Sequence, residues 1–455
     1  MKPGQSFVVT VSLAASSGNV SEERCEIKLN SEGFSFCKED GSESEWFPFS
    51  ELLGVEYAET ACKALVYTFK RGLANKSHWY PKRLILNFAS KLKREEFVST
   101  LKEGIAGQST RRPKKVLVIM NPASGSMQTI ERFNSIVKPV FSIAGIRIDV
   151  LQTKSGDHND VICQVLQDIS LNRRDYDGIL AMGGDGIFFE LVNLLSKFNI
   201  HRSNSGLQCS ISQIRVAHLP SGSTDAVACS INGSRSLFTA SMHVALGDSM
   251  DIDALRVQIE NNEPKFVCCI AAYGFMADVI QYSSGLRLFG PIRYDIVGVY
   301  TLLLNNSYRC NIKYKVRTYD QNLQQVSQSE DDIECQSECK TCRSASLSAD
   351  LGESGLDEQD WKEVEDDYMS IMVINHACIS EKSPFGMYRF AHLSNGSMTL
   401  ITVKRCSWVQ YLMFLKSMSD HGELSSLIYI QIWTIENANQ TYTCMINMNF
   451  NSNHS

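Results

Sequence analysis

The run Leu180-Ala-Met-Gly-Gly-Asp-Gly-Ile-Phe-Phe-Glu190 constrains this chain more than any other stretch. Gly178 to Met182 has the unbroken apolar texture of a strand buried on both faces. Ile187 to Leu195 has the apolar spacing of a helix, so Gly183, Gly184 and Gly186 fall in the turn between them. Residues without a Cβ let an anion approach backbone N–H groups at the start of a helix, where the dipole favours negative charge. Asp185 sits among them. A carboxylate there would repel phosphate, so the chemistry that suits it is that of a general base on an attacking hydroxyl. A tight turn with a capping aspartate is the structural alternative.

Two more small-residue turns follow strand patterns. Asn121-Pro-Ala-Ser-Gly-Ser126 comes after Val116 to Met120 and before a helix, Ile130 to Phe141; Pro220-Ser-Gly-Ser-Thr-Asp225 comes after Ile214 to Leu219. Between them lie a strand, Ile146 to Leu151, the turn Thr153-Lys154-Ser155-Gly156-Asp157-His158, and a helix, Val161 to Ile169. Repeated βα units predict an α/β doubly wound parallel sheet. The carboxyl ends of such a sheet share one crevice. A single nucleotide across all three turns therefore explains them more economically than three unrelated turns.

Arg111-Arg112-Pro113-Lys114-Lys115 marks a boundary, with this α/β lobe spanning 113–246. Before it, residues 1–110 read as strands (Phe7 to Leu13, Cys25 to Leu29, Phe34 to Lys38, Ala64 to Phe69, Arg83 to Phe88) followed by a helix, Arg94 to Leu101. That order resembles a pleckstrin-homology-like β-barrel module. Lys70, Arg71, Lys76, Lys82 and Arg83 form either a patch for an anionic membrane surface or an ordinary solvated face.

Residues 247–455 read as a β-rich second lobe, a β-sandwich, with strands at Ile252 to Ile259, Phe266 to Tyr273, Tyr308 to Val316, Met369 to Asn375, Ser397 to Val403 and Leu427 to Trp433. A helix, Val297 to Leu304, and a polar acidic insertion, 321–366, interrupt it. Arg287 and Arg293 flank a Gly-Pro turn, where they reach phosphates or form surface ion pairs. Cys335-x3-Cys339-x2-Cys342 could share a soft metal such as zinc or remain free thiols; no fourth ligand is evident, and Cys378 is a guess.

A formal charge of −6 gives no support for a broad nucleic-acid-binding face, though it leaves room for local basic patches. The fifteen cysteines are scattered and odd in number, which points to a reducing, cytoplasmic setting. Phe7 to Ala15 alternates as a strand rather than a signal core, and no apolar run is long enough to span a bilayer, so membrane contact is expected to be peripheral, at the Golgi or plasma membrane.

On these residues the chain resembles the diacylglycerol-kinase-type lipid kinases, and within them the ceramide kinases, over about residues 113 to 433. The resemblance rests on Asn121-Pro122, Gly183-Gly184-Asp185-Gly186 with Glu190, and Pro220 to Asp225. It extends to Tyr273-Gly-Phe275 with Asp278, Arg293-Tyr-Asp295, the cysteine cluster and Ala391-His-Leu-Ser-Asn-Gly396. It implies an ATP-dependent kinase that converts ceramide to ceramide 1-phosphate, with Asp185 as the base on the primary hydroxyl. ATP would lie among Asn121, Pro122, Ala123, Ser124, Gly125, Thr153, Lys154, Gly183, Gly184, Gly186, Glu190, Gly222, Ser223, Thr224, Arg287 and Arg293. The lipid would meet Gly183, Gly184, Asp185, Gly186, Asp278 and Ile280. Mg2+ would ride on the ATP phosphates. Ca2+ stimulation and calmodulin binding through Trp408 to Met418 are further family properties; a core-facing amphipathic helix is the alternative there.

Relatives acting on sphingoid bases carry an acid two residues beyond Asp278. This chain has Ile280, which suits a neutral N-acylated lipid, with diacylglycerol or a sphingoid base as alternatives. Three departures stand out: Asn395 replaces an aspartate, Ala123 to Ser126 is poor in glycine, and Thr441 to Ser455 lacks the family's Trp-Asn-x-Asp-Gly-Glu-like motif. The last implies a second lobe truncated at its C-terminal side. The rivals are an NAD kinase-like enzyme, which shares Gly-Gly-Asp-Gly, and a catalytically silent lipid-binding relative.

Overall fold

The computed structural model describes residues 6–14, 20–37, 43–58, 62–107, 111–122, 128–153, 158–170, 175–203, 214–259, 262–290, 292–315, 335, 339, 342, 361–420, 427 and 429–436. The first seven strands are β1 (Ser6–Ala14), β2 (Val20–Leu29), β3 (Gly33–Cys37), β4 (Glu43–Pro48), β5 (Gly54–Tyr57), β6 (Lys63–Arg71) and β7 (Trp79–Phe88). They form one antiparallel sheet in the order β4-β3-β2-β1-β7-β6-β5. Period-two alternation turns Phe7, Val9, Ile27, Phe34 and Leu86 to one side, where α1 (Lys91–Gly107) closes the core with Phe97, Val98 and Leu101. β4 and β5 escaped the sequence because one is charged and ends in proline and the other is four residues long, as edge strands tend to be.

This module is docked on the α/β lobe. Trp79 stacks on Phe69 at 3.8 Å, lies 4.0 Å from the His243 ring, and donates its backbone N–H to Thr239 Oγ1 at 2.9 Å. In the basic linker, Arg112 donates to the carbonyls of Leu52 (2.8 Å) and Phe49 (3.1 Å). Of the cationic set, Arg71 pairs with Glu51 at 2.7 Å and Lys82 with Glu45.

The next four strands, β8 (Lys115–Met120), β9 (Arg147–Gln152), β10 (Gly178–Gly183) and β11 (Arg215–Pro220), are parallel in the order β11-β10-β8-β9. Around them lie α2 (Thr129–Arg132), continuing through a π turn into α3 (Lys138–Ile143), then α4 (His158–Ser170), α5 (Asp185–Ser203), α6 (Ala226–Asn232) and α7 (Leu237–Leu246). One face buries Val116, Val118, Leu180 and Met182 against Phe133, Phe141 and Met242. The other buries Leu117, Ile119 and Ile179 against Ile162, Leu166, Phe188 and Leu191. Coverage on both faces is why β8 and β10 read as unbroken apolar runs. The strand order reverses between β8 and β10, the topological switch point at which such sheets bind ligands.

In the last region, β12 (Leu255–Val257) and β13 (Lys265–Val267) form a ribbon. β14 (Ile270–Gly274), β15 (Tyr308–Lys315), β16 (Trp361–Ile374), β17 (Ser397–Lys404) and β18 (Ile430–Glu436) form an antiparallel sheet, with β14 and β15 pairing successive stretches of β16. One face carries α8 (Phe275–Ser283), α9 (Ile292–Leu304) and α10 (Trp408–Asp420), whose Phe275, Leu302, Tyr411 and Phe414 pack on Met369, Met372 and Ile401. The ribbon packs on the other face through Leu255, beside Ile312, Tyr368 and Leu400. Among the described residues the expected β-sandwich is a five-stranded sheet with the β12–β13 ribbon on one face and helices on the other. α10 turns Tyr411, Phe414 and Met418 inward, matching the core-facing alternative.

The insertion also ends earlier than expected. Trp361 to Asp366 is strand, paired with β15; its alternating Glu363 and Glu365 face water, which made it read as a polar loop. The rest of 321–366 apart from Cys335, Cys339 and Cys342, and the tail Thr441 to Ser455, lie outside the described residues. No described helix is long and apolar enough to cross a membrane.

Candidate active site

The sheet register aligns the carboxyl ends of its strands: Met120 pairs with Gln152 and with Met182, and Gly183 pairs with Pro220. The three small-residue turns thus leave neighbouring points of one sheet edge. The second and third touch. Ser221 N–H donates to the Gly183 carbonyl at 2.9 Å, and a Cβ on Gly222 would stand 2.4 Å from Gly184 Cα. The helix after the first turn joins them: buried Thr129 has its Oγ1 3.2 Å from Ser221 Oγ, and the Arg132 guanidinium lies 3.4 Å from the same oxygen. Asn121 and Pro122 follow β8, and Thr153 follows β9 with its N–H on the Met120 carbonyl at 2.9 Å. Ala123, Ser124, Gly125 and Lys154 lie outside the described residues.

Asp185 opens α5, yet its carboxylate is committed to a different helix. Oδ2 accepts from Ala226 N–H and Oδ1 from Val227 N–H, both at 3.0 Å, which caps the start of α6. The side chain remains 34% exposed. Base and cap are therefore compatible roles: two amides fix the carboxylate plane, and each oxygen keeps a further lone pair. Gly186, Ser223 and Thr224 are exposed at the rim, and Glu190 is half-buried farther along α5.

Asp225 is fully buried in the left-handed region, φ 55°, where it accepts from Gly222 N–H at 2.9 Å and from Arg235 Nε–H at 3.0 Å. Burial pushes its carboxyl up; His218, Arg235 and the Gly222 amide pull the other way without cancelling that effect. Buried His218 donates from Nε2 to the Gly183 carbonyl at 3.0 Å, and its Nδ1, without a hydrogen-bond partner among the described residues, stands 3.9 Å from Asp185 Oδ1. His218, Arg132 and Arg235 were missed in the sequence. The one available signal was a histidine inside a strand that runs into a turn.

The second lobe reaches Arg235 of this corner through Glu381, at 2.9 Å, while the next residue, Lys382, pairs within its own lobe with Asp295 of α9, two residues beyond Arg293. Arg293 itself donates to the Tyr294 hydroxyl at 2.8 Å and lies 4.6 Å over that ring, while its buried Nε has no partner among the described residues. The side chain of Arg287 lies outside the described residues. Asp278 accepts from the Tyr308 hydroxyl at 2.5 Å, and burial raises both groups. Ile280 is exposed on α8. Among the described contacts, none joins Asp278 or Ile280 to the Gly183–Gly186 turn. A cavity of about 1460 Å³ lies between the first module and β11, lined by Trp79, Phe188, Ala217 and His218 among others, but neither Asp185 nor Gly222 lines it.

Residues 115–257 match the family described as the diacylglycerol kinase catalytic domain. The chain is similar to the ceramide kinase of Mus musculus, 28% identical over 346 residues, covering 73% of this chain and 63% of that one. It is also similar to the ceramide kinase of Homo sapiens, 27% identical over 353 residues, with 75% and 64% covered. It thus spans just under two thirds of the length of these relatives. Among solved structures it is similar to a putative diacylglycerol kinase from Bacillus anthracis str. Sterne, 17% identical with a TM-score of 0.44, covering 71% of this chain and 84% of that one.

Proposed function

From a chain that belongs to the diacylglycerol-kinase-type family of lipid kinases, we propose an enzyme that moves the γ-phosphoryl group of ATP to the primary hydroxyl of ceramide. Asp185 takes the hydroxyl proton as that oxygen bonds to the γ-phosphorus, and the bond to the departing ADP breaks. The observation that carries this reading is the meeting of two glycine turns at Gly184 and Gly222 beside a carboxylate held by Ala226 and Val227.

The residues present fit a triphosphate. The first turn of α5 has N–H groups with no intrahelical acceptor, Gly186 carries no side chain to block approach, and Arg132 adds a cation beside Ser221. Magnesium bound with ATP supplies charge neutralisation; positioning and neutralisation carry most of such a transfer.

A lipid acceptor is supported by the outer faces of α8 and α9, where Ile280, Ile292, Ile296, Val299, Tyr300 and Leu303 are exposed. On α9 these positions repeat at helical spacing, giving an apolar row that a membrane surface would cover. Ile280 offers no charge to an ammonium group, which favours an N-acylated lipid over a sphingoid base. Lys70 and Arg83 of the first module remain exposed towards an anionic surface.

Purified protein incubated with labelled ATP, mixed vesicles holding ceramide, diacylglycerol and sphingosine, and free NAD tests the proposal. Label in ceramide phosphate is expected. Label in NADP alone, or in none of the acceptors, contradicts it.

A further inference from the structure

Outside the kinase corner, Cys335, Cys339, Cys342 and His392 hold their ligand atoms within 4.8 Å of one another. Cys335 Sγ is 3.3 Å from Cys342 Sγ, and Cys339 Sγ is 3.3 Å from His392 Nδ1. A tetrahedral zinc ion bound at roughly 2.3 Å to sulfur and 2.0 Å to nitrogen spaces its ligands about 3.5–3.8 Å apart, so small adjustments suffice to admit one. The His392 side chain is buried. The Leu393 N–H donates to Cys335 Sγ at 3.4 Å, and the Ser394 N–H donates to Cys342. Such donors to sulfur stabilise thiolates and orient them as ligands. All four cluster residues belong to the set, which leaves no position for a reacting water.

We propose that these three cysteines and His392 bind one zinc(II) ion in a closed, structural Cys3His site. The ion ties the segment carrying the cysteines to the Ala391–Gly396 loop. That loop is itself fastened to the start of the second lobe: Asp253 N–H donates to the Leu393 carbonyl at 2.7 Å, and Gly396 N–H donates to Asp253 Oδ2 at 2.8 Å. Cys378, the residue guessed from sequence as a fourth ligand, is elsewhere, with its Sγ 3.5 Å from Cys269 Sγ. His392 replaces it. Zinc takes the cysteines as thiolates, so its affinity falls as pH falls.

The test uses full-length protein purified without chelator and needs no kinase activity. Elemental analysis should give one zinc per chain, and cobalt(II) exchanged into the site should show thiolate-to-metal charge-transfer absorption. His392→Ala and Cys339→Ala should lose zinc to a chelator that the parent withstands, whereas His392→Cys and Cys269→Ala should retain it. Should a variant fail to fold, the metal content and cobalt spectrum of the parent protein decide alone. Parent protein that neither carries nor takes up stoichiometric zinc, or variants at His392 and Cys339 that hold it as tightly as the parent, would overturn the site.

Discussion

Gly222 lies against Gly184 so closely that a Cβ added to Gly222 would stand 2.4 Å from Gly184 Cα. The turns after β10 and β11 meet at this contact. Gly222→Ala must force them apart, and is expected to lower stability by about 1–3 kcal/mol and to reduce transfer. Gly186 is the control: a Cβ there meets open space, so Gly186→Ala should hold or raise stability, by about 0.5–1 kcal/mol, yet raise the KM for ATP by crowding the phosphates. Denaturant unfolding beside steady-state kinetics separates the two.

Arg235 holds both a wholly buried acid and an exposed one. Glu381→Ala removes the partner that is 70% exposed and should cost under about 1 kcal/mol. Arg235→Ala strips Asp225 of its cation and should cost about 2–4 kcal/mol, the figure for a fully buried pair being reduced because Arg235 is partly exposed. Equal losses in urea unfolding would contradict this division.

Asp225 also sets a sign for pH dependence. Burial holds its folded-state pKa above the unfolded value of about 4, so at pH values between the two the folded chain keeps a proton that the unfolded chain has released. The stability this residue contributes is complete below the unfolded value and is lost as pH rises through the folded one. Asp225→Asn suits the left-handed backbone and removes that slope. The difference in unfolding free energy should move in favour of the parent protein as pH falls from neutral towards about 4.

Trp79 couples the first module to α7, through Thr239 and His243. Its hairpin also places His78 Nδ1 3.0 Å from Ser234 Oγ and sends Asn75 Nδ2–H to the Gly233 carbonyl at 3.1 Å, next to Arg235. Trp79→Ala should destabilise by about 3–5 kcal/mol and lower transfer even to a water-soluble short-chain ceramide, where membrane recruitment plays no part. Wild-type activity on the soluble acceptor would show that the hairpin serves docking alone.

Strand and helix periods made the parallel sheet legible, since β8 and β10 carry apolar runs that only two covered faces explain. The glycines marked its turns for the same local reason. What stayed hidden was long-range: no spacing links Asp185 to the amides of Ala226 and Val227, Arg235 to Asp225, or His392 to cysteines some fifty residues earlier. The helical layer of the second lobe stayed hidden because a helix such as α10 covers a sheet as well as a second sheet does, and the apolar content of a strand does not say which.

The most direct test is Asp185→Asn, assayed for label transfer to ceramide and, in parallel, for unfolding free energy. The asparagine keeps one acceptor for the α6 amides, so the expected loss of stability is about 0.5–2 kcal/mol. Transfer, deprived of its base, should fall by about a hundred- to ten-thousand-fold. Transfer that falls no further than the loss of folded protein explains would reduce Asp185 to a helix cap and contradict its role as the base.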